Sequence, residues 1–147
     1  MSTRSRLRCV VLAVCAVSLS ACKEIELEAA GTGYEPATLA PVAGSDDVKR
    51  VTFTAESAAR AGVRLAEIRR SGEHKVAPYA ALLYDAAGKT YVYASSGPLT
   101  FIRRQVKVAR IDGDAVVLAA GPPVHTKVVT VGAAEVYGAE LDVAGSH

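Results

Sequence analysis

Cysteine is absent beyond residue 22 and methionine beyond residue 1. Cys9, Cys15 and Cys22 are the whole thiol complement. Once the first two are assigned to a leader and the third to a lipid, as argued below, no disulfide, zinc–thiolate site or cysteine nucleophile is open to the rest of the chain. A single methionine removes the soft thioether ligands that copper export favours. The three histidines, His74, His125 and His147, are scattered over two loops and the terminus, without the spacing of a metal site. No carboxylates pair at catalytic spacing, no serine sits in a glycine-flanked elbow, and no glycine-rich loop joins a strand to a helix. These gaps argue against an enzyme, a bound cofactor and a metal. Asp112-Gly113-Asp114 offers acidic oxygens, but a calcium loop needs about six or more ligands, and a hairpin turn accounts for the three residues without one.

What the chain does have begins at its start. Arg4, Arg6 and Arg8 precede an uncharged apolar run, CVVLAVCAVSL over 9–19, and Leu19-Ser20-Ala21-Cys22 closes it with small residues before a cysteine. The run falls short of the roughly 20 residues of a permanent bilayer span. Together these features have the form of an exported lipoprotein leader. The expectation is a signal over residues 1–21, lipid on Cys22 and a mature chain held on the extracytoplasmic side of the cell membrane.

That leader changes the electrostatics. It carries three of the 17 basic residues and none of the 15 acids, leaving 14 against 15, a net charge of −1. The sequence pI near 8.5 therefore describes the precursor. No basic patch interleaved with aromatics remains to bind nucleic acid. Arg69-Arg70 and Arg103-Arg104 come closest, and on strands each pair would split between two faces.

The mature length suits one modest domain. Residues 22–47 are rich in Ala, Gly, Pro and acids without a sustained period, and read as a flexible tether, with Tyr34 and Leu39 as apolar exceptions. From residue 48 to 147 the pattern becomes short β-rich runs between turn residues. Val51–Thr54 is a strand; Thr54 caps a two-turn helix that Gly62 stops; Val63–Arg70 is a strand with Val63, Leu65 and Glu67 on one side. Val76–Tyr84, broken by Pro78, should pair through the Asp85–Lys89 turn with Thr90–Ala94. Leu99–Ile111 sets Ile102, Arg104, Val106 and Val108 on an inward face, with Phe101, Arg103, Gln105 and Lys107 opposite. Asp112–Asp114 turns into Ala115–Leu118, Gly121-Pro122-Pro123 is a stop, Lys127–Val131 is the last strand, and 132–138 a short helical turn. The expected fold is all-β: a small antiparallel β-roll or barrel with one short helix, closed so as to remove sticky edges.

Tyr79, Tyr84, Tyr91 and Tyr93 fall in one predicted hairpin. Strand tyrosines usually pack half-buried with a wet hydroxyl, but tyrosine also anchors interfaces. Together with Phe101, Arg103 and Arg104 they are the candidate surface for a protein partner.

The order VAPYAALLYDAAGKTYVY, FIRRQVKVARIDGDAVVLAAGPP, KVVTVGAAEVYGAEL, over residues 76–141, resembles the membrane-proximal segment of periplasmic adaptor subunits, the membrane fusion proteins of the HlyD and RND efflux type. The resemblance rests on Val76 with Pro78, Ala81, Leu82 and Leu83; on Tyr91-Val92-Tyr93; on Phe101, Arg104 and Val106; and on Gly113, Val117, Leu118, Gly121, Val128, Val129, Gly132, Ala133 and Leu141. Val51–Glu56 and Ala61–Arg70 resemble the family's N-terminal stretch. In full adaptors these two regions lie far apart in sequence but pack as one domain, with a barrel, a lipoyl-like domain and an α-helical hairpin between them. Here only Ser71–His74 separates them. The resemblance implies an adaptor reduced to its membrane-proximal domain: an accessory subunit contacting an inner-membrane efflux transporter of RND or ABC type, with self-association as a further possibility, and unable to bridge two membranes. The alternatives are a small ligand-binding lipoprotein and a structural envelope protein.

Overall fold

The computed structural model describes residues 35–141. The expected signal, Cys22, the 22–34 part of the expected tether and the tail with His147 lie outside the described residues.

The described chain opens with β1 (Ala37–Val42) and β2 (Ser45–Phe53), an antiparallel hairpin turning at Gly44, whose φ of +76° suits a residue without Cβ. The boundary of the folded part thus lies upstream of the expected one at Asp47. Ala37 and Leu39 pack against core residues, so Leu39, one of the two apolar exceptions in the expected tether, lies on the hydrophobic side of a strand; the other, Tyr34, lies outside the described residues. Thr54 then caps α1 (Ala55–Arg60): its side chain accepts the Ser57 N–H at 3.1 Å.

The next segment is kinked. β3 (Arg64–Glu67) and β4 (Arg69–Ser71) are separated by one residue, Ile68, which is fully buried. Its N–H donates to Thr126 O and its carbonyl accepts from the His125 N–H, so the backbone stays satisfied through the bend. Leu65 and Glu67 share one side, as alternation expects, and that side is the exposed one, Leu65 being 42% exposed, while Ala66 and Ile68 turn inward. Val63 departs from that side: it precedes β3 and packs against core residues, with a register shift between Val129 and Val131 opposite the start of the strand.

β5 (His74–Pro78) follows a tight turn, then a 3-10 turn (Tyr79–Ala81), β6 (Leu83–Tyr84), β7 (Thr90–Gly97), β8 (Thr100–Asp112), β9 (Ala115–Ala120), β10 (Lys127–Val131) and α2 (Ala133–Glu140). The hairpin expected between Val76–Tyr84 and Thr90–Ala94 survives only at its tip, where Leu83 meets Tyr91 and Tyr84 meets Thr90. Pro78 has no N–H, the chain turns over Tyr79–Ala81, and β5 pairs instead with β9 and β4.

All pairings are antiparallel, and the main order is β3-β10-β7-β8-β9-β5-β4, with β1, β2 and β6 attached beside it. The sheet curls into a half-barrel. Its first and last strands are the two halves of one kinked segment, Arg64–Ser71. The fold is all-β, as the turn spacing predicts; the expected removal of sheet edges is not met, since among the described residues β1 pairs with β2 alone.

The curl creates two cores on opposite faces of the same strands. Inside, Ile68, Ala77, Ala81, Val92, Val106, Val116, Leu118 and Val128 fill the half-barrel. Outside, Tyr93, Phe101 and Val129 face Val51 and Phe53 of β2, Ala58 of α1, and Ala133 and Val136 of α2. Neighbours Val92 and Tyr93, or Val128 and Val129, serve different cores, as strand geometry requires. Phe53 and Phe101 meet edge to face at 6.2 Å between ring centroids. Gly132 opens α2 at φ +82°, where a Cβ would come within 3.1 Å of Ala61 O and of Val63. The close approach of the two helix ends depends on it.

Candidate functional site

The seven residues singled out as a contact surface divide between two environments. Tyr79, at the start of the 3-10 turn, and Tyr84, on β6, are 45% and 52% exposed. Arg104 is exposed as well. Tyr93 and Phe101 are not available to any partner: they are 0% and 1% exposed and belong to the outer core. Arg103 is largely covered too, its side chain 10% exposed. The correction has a physical cause. Alternation rightly places Phe101 and Arg103 on the face opposite Ile102 and Val106, but the chain covers that face itself, with β2 and α2.

Tyr93 and Arg103 meet in one buried polar cluster, with Tyr91 at its margin. Tyr93 and Arg103 are direct cross-strand partners on β7 and β8, and Glu140, 2% exposed at the end of α2, lies over them. The Tyr93 hydroxyl donates to Glu140 Oε2. Arg103 Nε lies 3.1 Å from the same oxygen and 3.3 Å from Oε1. Oε1 also accepts the Lys49 N–H at 3.0 Å. The Arg103 guanidinium donates from Nη2 to Asp47 O at 2.7 Å and sits 4.9 Å from the Tyr91 ring centroid and 5.6 Å from that of Tyr137. Burial, reinforced by the Glu140 carboxylate, pushes the Tyr93 phenol far above its ordinary range.

This cluster has a structural logic. β2 pairs with β8 only from Arg50 to Thr52. Just upstream, where β2 leaves its neighbour, Glu140 takes the Lys49 N–H and Arg103 takes the Asp47 carbonyl. Two side chains thus replace strand pairing, and in doing so tie α2, β2, β7 and β8 together. No buried side-chain nitrogen or oxygen among the described residues lacks a partner. Nothing in the sequence pattern marks Glu140; a glutamate near the end of a weakly patterned helix reads as a surface residue, and its burial follows from tertiary packing alone.

Tyr91 is half-buried, and its hydroxyl meets Asp85 Oδ2 at 3.2 Å. Asp85 also accepts the N–H groups of Ala87 at 2.9 Å and Lys89 at 2.8 Å, fixing the turn before β7. Partial desolvation works against the Asp85 charge, but the Lys89 N–H, the Tyr91 hydroxyl and the Ala87 N–H together hold its carboxyl below the usual range. These groups build a turn.

Two clefts adjoin the cluster and the sheet. One of about 560 Å³ opens where β7 and β10 separate after their single pairing at Ala94 and Val128; Ser95, Arg104, Gln105, Pro122 and Thr126 line it. Another, of about 590 Å³, lies between the Gly44–Val48 arm and Asp85, Lys89, Tyr91 and Arg103. His74 begins β5, and His125 approaches Glu67 at 3.3 Å on the surface. No group of three metal-ligating side chains occurs among the described residues. Asp112 ends β8, and Gly113 and Asp114 make the two-residue turn into β9. No helix among the described residues is long and apolar enough to cross a membrane.

No family model, curated protein or solved structure matches this chain.

Proposed function

We propose that the protein is a lipid-anchored, adaptor-like accessory subunit of an efflux transporter of RND or ABC type, acting by surface contact on the extracytoplasmic face of the membrane. The observation that carries this reading is how the two regions of adaptor resemblance associate. Residues 51–70 and 75–141 interlock: β2 pairs with β8, β3 with β10 and β4 with β5. That is the packing expected of a membrane-proximal domain whose intervening domains have been reduced to the Ser71–His74 turn. An interior filled by eight apolar side chains supports contact over capture of a ligand within the half-barrel.

The contact residues of this proposal are those left exposed, Tyr79, Tyr84 and Arg104. Two exposed aromatic rings and a guanidinium have the composition of interface anchors. The test is a photo-crosslinking amino acid placed at Tyr84 in intact cells, with the same residue at solvent-facing Lys127 as control. Recovery of one polytopic transporter from position 84 alone supports the proposal. Recovery of cell-wall components, or of nothing but the protein itself, overturns it.

A further inference from the structure

Among the described residues β1 is an edge protected only at its far end, by Pro41 and the register shift beyond it. Among the described residues it pairs with β2 alone, and its sequence, Ala-Thr-Leu-Ala-Pro-Val, carries no charge. The other boundary strands are different: β3 carries Arg64 and Glu67, β4 carries Arg69 and Arg70, and β6 is two residues long. Charge, brevity, proline and bulges are the ordinary means by which sheet edges avoid pairing with other chains, and β1 has the last two only at its Pro41–Val42 end. Only β1 combines six residues, no charge and a free edge among these strands.

We infer that β1 is a self-association edge, pairing antiparallel with β1 of a second copy about a two-fold axis at Thr38. A two-fold interface must be complementary to itself, and this register is. Thr38 faces Thr38 of the second copy, extending a row that already runs Thr38–Thr52–Thr100 across three strands, with Thr52 and Thr100 hydroxyls 3.2 Å apart. Threonine pairs across strands are favourable. Leu39, half-exposed at the edge of the outer core, falls opposite Ala37 of the second copy, so each copy continues the other's apolar face. Glu35 falls opposite Pro41 of the second copy, whose β2 neighbour is Lys49. Glu35 and Lys49 are exposed and of opposite sign, and two strand spacings, about 10 Å, lie within their joint reach. Pro41 has no N–H to offer, and the register shift beyond it ends the pairing. The contact is small against the roughly 1,200 Å² of a stable interface, so association in dilute solution is weak and rises with local concentration.

The experiment uses the full chain carrying Thr38→Cys, oxidised with copper–phenanthroline over a range of concentrations and resolved without reductant. The unsubstituted chain, with its three native cysteines, is the control, and Thr52→Cys tests the strand behind. The expected result is a disulfide-linked peptide joining position 38 of one copy to position 38 of the other, with no equivalent at position 52. Glu35→Lys in the Thr38→Cys background lowers the crosslinked fraction about tenfold, the size of the two exposed ion pairs that a two-fold contact contains, and adding Lys49→Glu restores it. No linkage above control, equal linkage at position 52, or linkage chiefly to another protein overturns the inference. A charge reversal that the second reversal fails to rescue overturns the register.

Discussion

Replacing Glu140 by alanine is the sharpest perturbation the fold offers. The wild-type carboxylate is 2% exposed and accepts from a phenol, a guanidinium and a backbone amide. Glu140→Ala deletes all three acceptor contacts at once. It leaves Arg103, whose side chain is 10% exposed, without its counter-charge, and leaves the Tyr93 hydroxyl and the Lys49 N–H in a space too covered for free hydration. Removing one partner of a buried ion pair costs about 3–5 kcal/mol, and Arg103 keeps its bond to Asp47 O, so the lower half of that range, about 3–4 kcal/mol, is expected. For a domain of this size it corresponds to a fall in Tm of about 15 °C. Tyr93→Phe removes one charged hydrogen bond while keeping the ring, and should cost about 1.5–3 kcal/mol. The assay is urea unfolding followed by far-ultraviolet circular dichroism for both single variants and the double. Because the two changes delete the same contact, the double variant should cost less than their sum. A Glu140→Ala cost below about 1 kcal/mol, the value for a solvated pair, or strict additivity with Tyr93→Phe, would refute the assignment of this cluster as the clamp.

The same phenol predicts behaviour in alkali. With its folded pKa raised above the unfolded value, Tyr93 contributes fully below about pH 10, and stability falls by about 1.4 kcal/mol per pH unit above it; Tyr93→Phe should flatten that limb of a pH-denaturation series. Asp85 acts in the opposite direction: its depressed carboxyl supports the fold above the ordinary carboxylate range and loses that contribution as pH falls, so Asp85→Asn should reduce the acid dependence of the thermal midpoint. At Gly121, φ is +151° and a Cβ would lie 2.9 Å from a Val106 methyl group; Gly121→Ala should cost about 1–3 kcal/mol by overpacking the interior, measured by the same urea titration. Thr54→Ala removes the α1 cap and should cost about 1 kcal/mol.

Local chemistry makes much of the fold legible in the sequence. Lys127–Val131 is visible as a strand because Gly121-Pro122-Pro123 and Gly132 bound it, and the Asp112–Asp114 turn and the Thr54 cap are read from residues adjacent in the chain. What escapes depends on contacts between distant residues. Tyr93, Phe101 and Arg103 look available because alternation reports which side of a strand a residue occupies and is silent on what covers that side. β1 reads as tether because an edge strand half-buried on one face needs only Ala37 and Leu39 to be apolar, too few to set up a period. The register shift opposite Arg64 and Leu65 sets Val63 against the core while Leu65 faces out, and Glu140 carries no local mark at all.

The kinked segment Arg64–Ser71 also sets a temporal order. Its second half pairs with β5 through the Ser71–His74 turn, a contact between residues a few positions apart, whereas its first half must find β10, with Glu67 meeting Lys127. The first can zip as soon as the turn forms; the second must wait while a loop of about 60 residues closes, at a logarithmic entropic cost. Ring closure at β3 and β10 is therefore the expected slow event in folding, and the strand whose other half is already in place supplies the anchored end that makes the search one-sided.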